Sequence, residues 1–196
     1  MSEQMNTLNI VIVGVGGQGT LLASRVLGHI AQQKGYDVKV SEVHGMSQRG
    51  GSVITYVRMG QKVFSPLVEQ GGADYLLAFE ELEALRALPL LKTDGVLIMN
   101  TQKINPLPVT LKLMEYPPDI VGYLQNQCDL VAMDALPLAK AAGNERAVNT
   151  VLLGALSARL PFEESLWTKA LEACVKPQFL ESNLAAFAAG RTPKPV

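Results

Sequence analysis

The chain has 196 residues, 48% of them apolar and 18% charged, with 17 Lys and Arg against 18 Asp and Glu for a net charge of −1. Such a length fits a single domain with one substantial core, and scattered cations at near-neutral net charge exclude the electrostatic footprint of a nucleic-acid binder. No apolar run reaches the roughly 18 residues a membrane helix needs, and the N-terminus carries no leader pattern, so the sequence reads as cytoplasmic, with a charged fraction low enough to suggest surface covered by a partner.

The short, β-branched run from Leu8 to Val13 reads as a strand buried on both faces. Beyond the glycines, Thr20 is placed to cap a helix running to about Lys34. Leu22, Ala23, Val26, Leu27 and Ile30 form its apolar stripe, and Arg25, His29, Gln32 and Gln33 its wet face. Residues 37–43 alternate as a second strand. A hairpin is expected from 52–60 and 61–66, turning at Gly60-Gln61. Residues 73–80 and 95–100 are further strands around a short helix closed by Pro89. Glu80, Glu81 and Glu83 read as a solvated helix start.

Residues 109–116 suggest an extra strand, 117–127 a short helix entered through prolines, and 129–134 the last strand. From Pro137 onward the pattern is helical: 138–142, 144–159, 163–174 and 176–189, with Gly190 as the stop, Trp167 as an anchor, and 190–196 as a frayed tail. Small residues such as Gly154 point to close helix packing. The expected fold is α/β: a Rossmann-like, mostly parallel sheet flanked by helices, with a β-hairpin insertion and a helical C-terminal portion, all within one domain over 1–196.

Gly14, Gly16 and Gly19 match GxGxxG directly after a strand and before a helix, the context in which that motif is informative. N–H groups at the start of the helix, at the positive end of its dipole, suit a phosphate or carboxylate. A bare tight turn explains the glycines equally well. Against a dinucleotide, Gln18 is polar where such loops pack something apolar, and Glu42, the candidate ribose ligand, runs into a loop with its own signature.

That second loop, His44-Gly45-Met46-Ser47-Gln48-Arg49-Gly50-Gly51, is expected beside the first, because crevices in open α/β sheets form at the carboxyl ends of strands. Ser47, Gln48 and Arg49 offer hydroxyl, amide and guanidinium donors, and Gly50-Gly51 leaves main-chain N–H groups able to face an anion. The plain alternative is a surface loop with Arg49 paired to Glu42. His44 and the exposed-reading His29 have no triad or metal partners in sequence. Cys128 and Cys174 show neither CxxC nor CxH spacing and read as buried small hydrophobes, so neither an iron–sulfur cluster nor a zinc site is expected from this chain's cysteines alone.

GVGGQG (14–19) and SEVHGMSQRGGSV (41–53), followed by Val57-Arg58, Ser65-Pro66, Gly72-Ala73-Asp74 and Glu80, resemble the gamma-type subunit or domain of the 2-oxoacid:ferredoxin oxidoreductases over roughly residues 8 to 190. The second motif is the more specific, and it is most similar to the small subunits of the indolepyruvate branch. The resemblance implies an oxidative decarboxylation in which a 2-oxoacid loses CO2 on thiamine diphosphate, coenzyme A takes the acyl group, and electrons pass through iron–sulfur clusters to ferredoxin. It also implies that thiamine diphosphate, Mg and the clusters reside on a large partner subunit, since this chain has no GDG…N signature. Gly14, Gly16, Gly17, Gln18, Gly19 and Thr20 with Ser47, Gln48, Arg49, Gly50 and Gly51 become the candidate coenzyme A surface, with no catalytic residue and no metal ligand. The isolated chain is expected to be inactive and open to self-association. The competing reading is an independent nucleotide-binding enzyme, an NAD(P) oxidoreductase or an adenylating enzyme.

Overall fold

A computed structural model of the chain describes residues 7–45 and 50–192. Six strands, Leu8–Val15 (β1), Asp37–His44 (β2), Ser52–Gly60 (β3), Ala73–Ala78 (β4), Leu91–Asn100 (β5) and Asp129–Met133 (β6), form one sheet in the order β2-β3-β1-β4-β5-β6. β1, β4, β5 and β6 run parallel, and β3 runs antiparallel to both β1 and β2. The helices are Thr20–Gln33 (α1), Glu81–Ala87 (α2), Leu107–Thr110 (α3), Ile120–Gln125 (α4), Ala135–Ala141 (α5), Val148–Ser157 (α6), Glu164–Cys174 (α7) and Pro177–Arg191 (α8). The α/β class with a mostly parallel sheet is therefore as expected.

Successive strand residues face opposite ways, and the two cores follow from that alternation. Ile10, Ile12, Leu77 and Ile98 pack beneath α1 and α5 to α8, while Val11, Val13, Leu76, Leu97 and Met99 pack beneath α2 and α4. Trp167 is fully buried in the helical layer, its ring centroid 6.5 Å from Phe162 and 5.7 Å from Phe187. Burying ~150–250 Å² of aromatic surface stabilises by at most about 4–6 kcal/mol.

The expected hairpin sits one strand earlier. β2 pairs with β3 from Asp37↔Gly60 to His44↔Val53, and residues 61–66 add no strand. Val53, Thr55, Val57 and Met59 are buried in alternation, as a strand between two neighbours requires, whereas 61–67 folds back onto Arg58. The Arg58 guanidinium donates to Asn9 Oδ1 (2.8 Å) and to the carbonyls of Ser65 and Leu67 (3.0 Å each). Residues 109–116 are likewise no strand: α3 opens with Pro108 in its first turn, Lys112 turns the chain at φ 57, and β5 pairs directly with β6.

Gly190 does not end the last helix and 190–191 are not frayed; α8 runs through Arg191, while 193–196 lie outside the described residues. Its role is close approach. A Cβ on Gly190 would lie 1.8 Å from the Val151 carbonyl oxygen, and one on Gly154 would lie 2.1 Å from that of Phe187, so α6 and α8 cross backbone against backbone. Cys128 and Cys174 are half-buried, not buried, and both are free thiols raised by burial. His29 is also half-buried, its Nδ1 2.6 Å from Gln33 Nε2.

Candidate functional site

The glycine loop leaves the carboxyl end of β1 and is tied down on three sides. Gln18 Oε1 accepts from the Val15 N–H (2.7 Å), and Gln18 Nε2 donates to the Phe79 carbonyl (3.0 Å) and to Gln102 Oε1 (3.2 Å). Its amide therefore binds together the ends of β1, β4 and β5, which accounts for a polar residue in that loop. Gly14 lies beneath it, where an added Cβ would come within 2.8 Å of Gln18 Oε1. Gly19, not Thr20, is the N-cap of α1, at φ 90 in the left-handed region that favours glycine. The Gly19 carbonyl accepts from Asn149 Nδ2 (3.3 Å), which locks the loop to α6.

The second loop adjoins the first. Gly16 N–H donates to the Gly51 carbonyl (2.8 Å), and Gly50 N–H donates to the Gly16 carbonyl (3.3 Å). Ser47, Gln48 and Arg49 lie outside the described residues, as does the expected Arg49–Glu42 pair. Between the loops is a recess of about 370 Å³ lined by Gly16, Gly17, Gly19, Thr20, Leu21, Glu42, His44 and Val53. Thr20 is buried, and its hydroxyl and that of Thr55 donate to Glu42 Oε2 (3.4 and 3.2 Å). His44 Nδ1 approaches the Gly45 carbonyl at 3.3 Å, a local contact. Among the described lining residues Glu42 is the carboxylate, so an anion seated here needs a cation from elsewhere.

The acidic cluster at the exit of β4 is not solvated. Glu80, Glu81 and Glu83 are 1%, 2% and 5% exposed. Glu80 accepts from the N–H groups of Glu83 (2.9 Å) and Ile104 (3.0 Å) and from the Tyr116 hydroxyl (2.7 Å), while Glu83 accepts from Arg86 (2.6 Å) and from the Ser52 hydroxyl. These bonds fasten residues 101–116 across the carboxyl end of the sheet. Sequence reasoning missed this because a Glu-rich helix start is ordinarily wet, and the donors from Ile104, Ser52 and Tyr116 lie 24 to 36 positions away; Tyr116 was the available signal. Burial and the bond to Glu80 raise the Tyr116 hydroxyl pKa.

Burial also pushes the Glu81 carboxyl above the usual carboxylate range, against the pull of Lys103 3.4 Å away. A carboxyl with a raised folded pKa favours the folded state while protonated, and that contribution is lost as pH rises through the folded pKa. Glu81→Gln is therefore expected to raise the melting temperature at neutral pH, with the gain shrinking as pH falls toward the ordinary carboxylate pKa. Melting curves at neutral and mildly acidic pH check this, and a gain that is constant with pH contradicts it.

Residues 9–192 match the family described as pyruvate ferredoxin/flavodoxin oxidoreductase, and the chain belongs to that family. It is 42% identical over 192 residues to the indolepyruvate oxidoreductase subunit IorB of Thermococcus kodakarensis, covering 95% of each chain, and is thus of the small-subunit kind in these oxidoreductases. The gamma subunit of a keto/oxoacid ferredoxin oxidoreductase from Geobacter sulfurreducens superposes with a TM-score of 0.69 at 26% identity, over 93% of this chain and 95% of that one. The same fold, with a TM-score of 0.71 at 20% identity, takes in 96% of this chain but 31% of a chain of the 2-oxoglutarate:ferredoxin oxidoreductase of Magnetococcus marinus, a structure holding 2-oxoglutarate, coenzyme A and succinyl-CoA.

Among the described residues no helix is long and apolar enough to cross a membrane, and no three His, Cys, Asp or Glu side chains gather as a metal site.

Proposed function

We propose that the chain is the small subunit of an indolepyruvate-type 2-oxoacid:ferredoxin oxidoreductase and supplies part of the surface on which coenzyme A rests. A larger partner subunit carries thiamine diphosphate, Mg and the iron–sulfur clusters. The assembly converts indolepyruvate, coenzyme A and oxidised ferredoxin to indoleacetyl-CoA, CO2 and reduced ferredoxin in the cytoplasm. The observation that carries the reading is the near full-length identity to the indolepyruvate subunit, with the joined glycine and 50–51 loops as its local support. An apolar ridge agrees with a covering partner: Leu107, Leu111, Leu113 and Met114 are 58–75% exposed within eight residues, an exposed patch of the kind that marks interaction sites.

The recess fits a diphosphate in one respect and resists it in another. The start of α1 presents its N–H groups and dipole there, but the Glu42 carboxylate shares the wall, so the charge has to be balanced by a guanidinium, for which Arg49 is the candidate. Arg49→Ala in the assembled enzyme is expected to raise KM for coenzyme A by about tenfold or more, the worth of a charged hydrogen bond, and to leave KM for the 2-oxoacid unchanged. An unchanged coenzyme A KM contradicts the assignment.

Glu42 favours a second reading. It lies two residues before the end of β2 and lines the recess beside the glycine loop, where a dinucleotide's ribose would be held. Tight NADH binding by the lone chain would establish that alternative.

A further inference from the structure

On the α6 side of the glycine loop a cavity of about 550 Å³ opens between the start of α6 and the α7–α8 junction, within the range of small-ligand sites. It shares no lining residue with the recess beside Glu42. Arg146 and Lys176 line it; both are exposed, and among the described residues neither belongs to an ion pair. Glu145 on the same wall leaves the cations in excess.

The lining also has an apolar part, Leu22 and a Phe179 side chain 45% exposed, the latter one helical turn beyond Lys176. The floor is fixed: Asn149 is 5% exposed and its amide is held by Gly19. Two cations beside an exposed aromatic suit an anion carried on a flat body, since the phosphate takes charge-assisted hydrogen bonds and the ring takes a stacking partner. Arg146 also lines a recess of about 450 Å³ with Gly17, Gln18 and Gln102, so the cavity and that recess adjoin at Arg146.

We propose that this cavity binds a phosphorylated nucleoside, with its phosphates toward Arg146 and Lys176 and its base against Phe179 and Leu22. The ligand is a free nucleoside diphosphate, bound apart from the coenzyme A surface proposed at the Glu42 recess. The inference does not depend on the reading of the Glu42 recess, which the Arg49 substitution tests separately.

Cys174 lines the cavity, while Cys128, equally free and half-buried, packs against the other core and serves as an internal control. The test is the rate of iodoacetamide alkylation of each cysteine in the full chain, resolved by mass spectrometry, with ADP, acetyl-CoA or pyrophosphate present at about 1 mM. ADP is expected to slow Cys174 by about fivefold or more and to leave Cys128 unchanged, with pyrophosphate protecting less. The Arg146→Ala/Lys176→Ala chain should lose the protection. Stronger protection by acetyl-CoA than by ADP overturns the proposal, because the cavity would then belong to the coenzyme A surface. Absence of protection by ADP, equal protection of Cys128, or protection that survives the double substitution overturns the proposal. If Cys174 reacts too slowly to time, calorimetric titration of ADP into the two chains decides between the same outcomes.

Discussion

Replacing Gly190 with alanine is expected to lower the melting temperature by about 6–12 °C. The new methyl would lie 1.8 Å from the Val151 carbonyl oxygen, 2.7 Å from its carbon and 3.0 Å from its Cα, and backbone atoms in a helix cannot step aside as a side chain can. α6 and α8 must separate, at a cost at the top of the usual overpacking range of about 1–3 kcal/mol, and a domain of this size loses ~2–4 °C per kcal/mol. Gly28, in the middle of α1, has nothing within 4 Å of an added Cβ. Gly28→Ala should therefore stabilise slightly, by ~0.5–1 kcal/mol. Opposite signs at two helical glycines distinguish the crossing from helix propensity. The site feels the change as well, because α6 carries the Asn149 that holds Gly19.

Glu80→Ala is expected to cost about 3–5 kcal/mol, since each buried donor left without its acceptor costs about 1–3 kcal/mol. Three donors lose their acceptor: the Glu83 and Ile104 N–H groups and the Tyr116 hydroxyl. The first is the cap of α2; the other two anchor residues 101–116, which carry Gln102 to Gln18 at one end and the apolar ridge at the other. Tyr116→Phe removes a single bond and should cost only about 1 kcal/mol. Chemical denaturation of both variants measures the difference. A loss from Glu80→Ala no larger than that from Tyr116→Phe would mean the carboxylate is not the anchor.

The strands and helices that carry the core were legible because burial imprints a period on the sequence. Ile10–Val13 and Leu76–Ala78 are continuous apolar runs, α1 keeps its stripe, and Trp167 is the anchor it resembled. The errors arose where pairing is decided by residues distant in sequence. β3 alternates equally well beside 61–66 or beside β2, and only its need for two neighbours, met by β1 and β2, decides the matter. Residues 109–116 alternate like a strand, yet the sheet has no place for them. A glycine near a helix end reads as a stop, so the α6–α8 contact that requires Gly190 was invisible. At the site, the adjacency of the two loops followed from strand direction. That Gln18 is a tie between strands, that Asn149 and Gln102 belong to the loop, and that Arg146 lies between two cavities depended on contacts 61 to 130 residues apart or on helix placement.

On the proposed function this chain works only inside a larger oxidoreductase. The direct test is coenzyme A-dependent, indolepyruvate-driven reduction of a viologen dye by the chain alone, by the large subunit alone, and by the two copurified. Turnover is expected in the copurified sample and none from the chain alone. Dye reduction sustained by the isolated chain would contradict that function.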